Sequence, residues 1–265
     1  MNAPCAGGQP YAGGQNDLFL ATLAHELKTP LGAICGYAEM LAGGHVSPDR
    51  VGEHAAILWE AAQTLKGTVE AMLDLARLDQ GELELDNSHF DLGSCAEAAV
   101  RTLITSVKVR GVTLDLTMPP QLPRIIGDSR MVTQILTNLI SNAIKYGPEG
   151  GRVGISASVN ATGQLLIDIS DDGPGLSAEE AKVAMAPFGR VDRAERVPGH
   201  GLGLPLTKAL VELHDGTLNL ENQPGCGTHA RVILPASRIV GGDADLQQAF
   251  VFCRPLSPSA GVNHF

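Results

Sequence analysis

Two long runs of apolar residues at helical spacing, parted by a short break, limit what this chain can fold into. In the first, Leu20, Ala24, Leu27, Leu31, Ile34, Ala38 and Leu41 recur at alternating steps of four and three. That alternation is the seam of a helix packed in a bundle. The helix is expected from about Asn16 to Ala42, with Gly43-Gly44 as its stop. Ser47-Pro48-Asp49 then offers an N-cap followed by proline at the first helical position. Val51, Leu58, Leu65 and Met72, with Leu75 and Leu78 beyond them, carry a second helix to about Asp79, and Gly81 ends it. Two such helices make an antiparallel hairpin, which cannot cover both seams by itself. A four-helix bundle formed with a second copy is the economical solution, so a homodimer is expected.

The chain has 265 residues, enough for a second domain with its own core. Its apolar fraction of 44% and net charge of −10 favour a soluble protein over one that binds nucleic acid or an anionic membrane. Aromatics at 4% argue against a stacking platform for bases. No apolar run is long enough to span a bilayer, and the N-terminus has no signal-peptide pattern. The five cysteines are scattered without a C-x-x-C pair, as reduced thiols in the cytoplasm would be.

From about Phe90 the pattern changes. Asp91 to Val109 reads as a helix, Val112 to Leu116 as a short strand, and Pro119 to Pro123 as a break. Asp128 to Lys145 is helical, and Gly151–Val159 and Gln164–Ser170 alternate as strands. Gly201 to His214 is helical again, with strands at Thr217–Asn222 and Thr228–Leu234. Helices interspersed with an antiparallel-looking sheet give an α+β sandwich. The expected organisation is an arm (1–15), a hairpin (16–82), an α+β domain (83–236) and a tail (237–265).

Four segments carry chemistry. His25 lies beside the first seam and faces outward, with Glu26 next to it and Thr29 one turn on; Pro30 then removes a helical hydrogen bond. An exposed helical histidine is ordinarily a solvated surface residue, so His25 gains meaning only from what lies downstream. Asn138, Asn142, Lys145 and Tyr146 share one helix face opposite Ile135, Leu136, Leu139 and Ile140. Amide oxygens one turn apart suit a hard cation that keeps most of its waters, and the lysine suits a phosphate. The plain alternative is a merely polar face.

The strand ending in Asp171-Asp172-Gly173-Pro174-Gly175 lets a ligand approach the backbone. A calcium loop over Asp168, Ser170, Asp172, Gly173 and Glu179 is the weaker reading, because serine stands where an acid is usual and a strand precedes it. Gly199-His200-Gly201-Leu202-Gly203 opens a helix, where backbone N–H groups face an anion. The spacing fits neither a dinucleotide fold nor a P-loop. Between the two glycine segments, Phe188, Arg190, Arg193 and Arg196 lie in a stretch without periodicity that reads as a mobile lid or a plain surface loop.

Together these segments resemble the sensor histidine kinases of two-component signalling over about residues 17–235. His25 to Pro30 is similar to the H box, Asn138 to Tyr146 to the N box, Asp171 to Gly175 to the first glycine box, Phe188 to the F box, and Gly199 to Leu204 to the second glycine box. The resemblance implies a dimerisation and phosphoacceptor hairpin followed by a Bergerat-type ATP-binding domain. It implies that His25 accepts a phosphoryl group from ATP, that Glu26 acts as base, and that Asn142 with Asn138 holds Mg²⁺. Lys145 and Tyr146 would meet the phosphates, and Asp171 would accept from the adenine amino group with Gly173 and Gly175 shaping its pocket. Phe188, Arg190, Gly199, Gly201, Leu202 and Gly203 would belong to the lid, and Thr228 to the adenine side.

The implied partner is a response-regulator receiver domain, with Thr29 placed to orient water in a phosphatase reaction. The input would arrive through a separate sensor protein, the arm or the tail. His200, Asp172 and Pro205 depart from the family's usual residues without removing a catalytic group. A non-catalytic dimeric adaptor that keeps ATP as a conformational ligand is the alternative; Asn142, Asp171, Gly201 and Gly203 argue against it.

Overall fold

The computed structural model describes residues 13–119, 122–191, 201–222, 225 and 227–240, with only the backbone described at 13–21 and 222. Its contacts divide the chain into two units, residues 1–83 with 182–206, and residues 84–181 with 207–265.

In the first unit, helix α1 (Gly13–Ala42) packs along helix α2 (Val51–Asp79) as an antiparallel hairpin. Gly44, at φ 68°, turns the chain out of α1, and His45 N–H reaches back to the carbonyl of Met40 at 3.1 Å. This is the left-handed stop that glycine permits without a Cβ penalty. Ser47 makes no side-chain cap bond; a 3₁₀ turn over Pro48–Arg50 leads into α2 instead. Helix α1 begins at Gly13, earlier than expected, and runs on through Pro30.

The expected seam is really two rows. Leu23 and Pro30 are buried and Leu27, Ile34 and Leu41 half-buried, whereas Ala24, Leu31 and Ala38 are exposed. In α2, Leu58, Leu65 and Met72 are half-buried, while Val51, Trp59, Val69 and Leu73 remain exposed. One helix face is thus used inside the hairpin and a second apolar row is left open.

The second unit is a sheet covered by helices. Helix α3 (Leu92–Arg110) starts at Asp91, whose carboxylate accepts from Ser94 N at 2.7 Å, and ends at Gly111 in the left-handed region. Strand β1 (Ser88–Phe90) precedes it; β2 (Thr113–Thr117) and β3 (Arg124–Gly127) follow. Helix α4 (Ser129–Tyr146) is followed by β4 (Arg152–Val159) and β5 (Leu165–Asp171). Helix α5 (Ala178–Ala184) is short; α6 (Gly203–Leu213) precedes β6 (Thr217–Asn222), β7 (Thr228–Leu234) and β8 (Ile239–Val240).

The large sheet has the order β2-β4-β5-β7-β6. It is mixed rather than antiparallel, because β2 runs parallel to β4. Val153, Ile155, Ala157 and Val159 alternate inward on β4, as do Leu165, Ile167 and Ile169 on β5. Ile135, Leu136, Leu139, Ile140 and Ile144 bury one side of α4, which packs on α3, β4 and β5. The polar side of α4 is thereby fixed facing away from the sheet.

A second sheet, β1-β3-β8, had no clear sequence signal, since strands of two to four residues show no period. It takes in Ile239 and Val240, so structure continues past the point where the tail was expected to start. At its edge Asp128 caps α4, accepting from Arg130 N at 2.9 Å and Met131 N at 3.3 Å, and also from Asp86 N at 3.4 Å. Burial alone would raise the Asp128 carboxyl; the Arg130 side chain and these N–H groups outweigh it and hold it below its usual range. Arg238 joins Asn87 and Asp215, each at 2.8 Å.

His214, wholly buried, connects the two helices. Its Nδ1–H donates to the carbonyl of Leu210 at 2.8 Å, and Nε2 accepts from Asp128 N at 3.2 Å. Burial, helped by the charge of Arg238, pushes its pKa down despite the Leu210 bond and the carboxylates of Asp128 and Asp215. The unfolded chain therefore takes up a proton, at its ordinary pKa of about 6.5, that the folded one refuses. This contribution to stability is complete above about pH 6.5 and declines as pH falls through the window between 6.5 and the depressed folded value. His229, raised by its bond to Asp168, acts in the opposite sense, and its contribution fades as pH rises through its raised value. Replacing His214 by asparagine is expected to cost about 2 kcal/mol at pH 7.5 and to shrink the acid loss between about pH 7.5 and 5.5. Urea unfolding at both pH values checks this; an unchanged acid loss would assign it to other groups.

Candidate functional site

In the first unit, His25 is exposed on α1 and, among the described residues, its ring makes no hydrogen bond. Glu26 is half-buried and forms no bond to that ring. The Thr29 hydroxyl donates to the His25 carbonyl at 3.3 Å. The same unit includes Phe188, whose backbone has φ 59°, a region costly for a bulky residue. Phe188 N–H donates to the Gly201 carbonyl at 3.0 Å. Gly201 has φ 66°, and a Cβ there would stand 2.8 Å from Phe188 Cα, so only glycine fits. Arg190 is half-buried, Leu202 fully buried, and Gly203 is the first residue of α6. Gly199, with His200, Arg193 and Arg196, lies outside the described residues.

The second unit gathers the others. Asn138 and Asn142 are half-buried one turn apart on the polar side of α4; Lys145 and Tyr146 are exposed at its end. Asn138 Nδ2 donates to Thr207 Oγ1 at 3.3 Å. Asp171 closes β5, and its Oδ1 accepts from Gly173 N at 2.9 Å and Thr228 N at 3.2 Å. Both bonds end on one oxygen, and among the described residues Oδ2 carries none. Burial pushes the Asp171 carboxyl up, against the pull of those two N–H groups and with a small further push from Asp172.

The backbone closes tightly around this carboxylate. A Cβ on Gly173 would lie 2.6 Å from Asp171 Oδ1 and 3.1 Å from the Tyr146 carbonyl, and one on Gly227 (φ 87°) would overlap the Asp171 carbonyl. Gly225 N–H binds the Pro174 carbonyl at 2.7 Å, tying the turn before β7 to the glycine loop; Gly175, at φ 67°, is buried there. Asp172 Oδ2 instead accepts from Arg152 N at 3.0 Å and anchors the loop to β4. Asp168 is held by Arg231 Nε at 2.7 Å and His229 Nε2 at 2.8 Å on the sheet, which rules out the calcium-loop reading. The result is a carboxylate with one oxygen held by two backbone N–H groups, close positions where only glycine fits, and a polar helix face on the same unit.

Gly227 and Thr207 were missed in the sequence. Gly227 falls in the connection between the strands expected at Thr217–Asn222 and Thr228–Leu234, where a glycine marks only a turn, and Thr207 has no motif to mark it.

Residues 15–81 match the family described as the His Kinase A (phospho-acceptor) domain, and residues 127–238 match the histidine kinase-, DNA gyrase B- and HSP90-like ATPase. This chain is a sensor histidine kinase family member. The histidine protein kinase DivJ of Caulobacter vibrioides is 36% identical over 220 residues, covering 82% of this chain and 37% of DivJ. The chain spans 23–27% of other curated relatives that it matches. Among solved structures, the Acinetobacter baumannii histidine kinase AdeS aligns with a TM-score of 0.64 and 25% identity, over 81% of this chain and 98% of that one. Full-length ShkA in complex with AMPPNP aligns with a TM-score of 0.63 and 25% identity, over 84% of this chain and 46% of that one. Among the described residues, no helix is long and apolar enough to cross a membrane.

Proposed function

We propose that this chain is an ATP-dependent protein-histidine kinase that phosphorylates its own His25 and passes the group to a response-regulator aspartate. The observation that carries the reading is Asp171: a half-buried carboxylate with one oxygen pinned by two backbone N–H groups, the other without a hydrogen bond among the described residues, and glycines packed closely around it. Such an oxygen accepts the exocyclic amino group of adenine, and a keto purine has no donor there. The bound AMPPNP in ShkA is in keeping with a nucleotide at this carboxylate.

The two amides of α4 suit Mg²⁺, which takes few protein ligands and otherwise keeps water and phosphate oxygens. Asn142 and Asn138 would hold it, and when bound it neutralises charge on the transferring phosphoryl group. Lys145 and Tyr146, at the end of the same face, would meet phosphate oxygens; Phe188, Arg190, Gly199, Gly201, Leu202 and Gly203 would belong to the lid. A ring nitrogen of His25 attacks the γ-phosphorus in line, the bond to the β–γ bridging oxygen breaks, and ADP leaves. Glu26 would take the proton of the other ring nitrogen. Thr29 would orient water against the acyl phosphate of the regulator in a separate phosphatase reaction, which releases inorganic phosphate.

The open apolar row on the hairpin, with Leu31 at 50% and Leu73 at 51% exposure, supports a homodimer through a four-helix bundle. We place the reaction in the cytoplasm and take residues 16–82 as the phosphoacceptor domain and 83–236 as the catalytic domain. Incubating the chain with γ-labelled ATP and Mg²⁺ is expected to yield protein-bound label that survives alkali and is released by acid. Absence of such label overturns the proposal.

A further inference from the structure

Asn138 and Thr207, 69 positions apart in the sequence, come together in the second unit. Thr207 lies in α6, and its side chain is completely buried. Its oxygen accepts the hydrogen bond from Asn138 Nδ2 at 3.3 Å. Asn138 stands on the polar face of α4, one turn before Asn142.

An asparagine amide has two chemically different ends, and only the oxygen can serve a cation. The asparagine itself does not choose which end points where. A neighbour that only accepts draws the NH₂ end and turns the oxygen the other way. Helical threonines become such acceptors because their hydroxyl hydrogen goes back to a carbonyl of their own helix. Thr133 and Thr137 of α4 do this at 2.7 and 2.8 Å.

We infer that Thr207 is a positioning residue: its buried hydroxyl oxygen fixes the Asn138 amide so that the carbonyl oxygen faces the Mg²⁺-bound nucleotide. The inference rests on the reading of the α4 face as the Mg²⁺–nucleotide site, and it adds a determinant outside every motif of the sequence. Thr207 touches neither nucleotide nor metal, and acts through Asn138.

The test is calorimetric binding of ADP to the full chain, with Mg²⁺ and with EDTA. Thr207→Val keeps the shape and removes the hydroxyl. It is expected to lower ADP affinity about tenfold in Mg²⁺ while changing it less than about twofold in EDTA. Thr207→Ser, which keeps the oxygen, is expected to restore the Mg²⁺-dependent gain. In an Asn138→Asp background both ends of the side chain are oxygens, so adding Thr207→Val is expected to change affinity less than about twofold further.

An equal loss with and without Mg²⁺ would mark Thr207 as a packing residue and overturn the inference. So would an unchanged Thr207→Val, or a full tenfold loss when Thr207→Val is added to Asn138→Asp. Failure of the parent chain to bind ADP in Mg²⁺ would instead remove the nucleotide-site reading, and this inference with it.

Discussion

A His25→Gln chain is expected to take up no detectable phosphoryl group, a fall of at least about a thousandfold, while binding ATP as tightly as the parent. Glutamine reproduces the reach and polarity of histidine and is a better helix former, so α1 should keep its stability to within about 0.5 kcal/mol. What it lacks is a ring nitrogen with a free lone pair. His25 is exposed, and its ring has no hydrogen-bond partner among the described residues, so its loss leaves nothing buried unsatisfied. Binding and labelling should therefore separate cleanly. Label remaining on the variant at parental level would put the acceptor elsewhere; simultaneous loss of ATP binding would make His25 structural.

Asp171→Asn is expected to reverse that pattern, removing the nucleotide while sparing the hairpin. The amide oxygen can still accept from Gly173 N and Thr228 N, so the loop should hold its shape. The position now occupied by Oδ2 becomes an NH₂ group, aimed at the adenine amino donor. A charge-assisted bond gives way to two facing donors, and ATP affinity should fall about a hundredfold, about 2.7 kcal/mol. Calorimetry measures the affinity and thermal unfolding checks the fold. Parental affinity in a folded variant would show that Asp171 does not read the base.

The hairpin and the larger sheet were legible because their signals are periodic. Strands β6 and β7 fall at the residues the alternation of Thr217–Asn222 and Thr228–Leu234 picks out, and Asp91 and Gly111 bound α3 through chemistry visible in single residues. Direction was not legible: the pattern of Val112 to Leu116 cannot say that β2 runs parallel to β4. Nor were the two apolar rows of α1, since one run of leucines and alanines serves both.

In the site, Asp171 and the asparagines could be read from spacing, because motif residues sit near each other along the chain. Thr207, 69 positions after Asn138, could not. Gly227 was seen as a turn former, whereas its missing side chain matters because the Asp171 carbonyl occupies that space. His214 and Asp128 meet only after α4 and α6 have packed.

The small sheet has a geometric corollary. Its central strand β3 is flanked by β1, where the chain comes in from α2, and by β8, where it goes out. Entrance and exit are thus two strand spacings apart, about 10 Å. A pull on either edge strand meets the same central strand, the one leading straight into the helix that bears the asparagines.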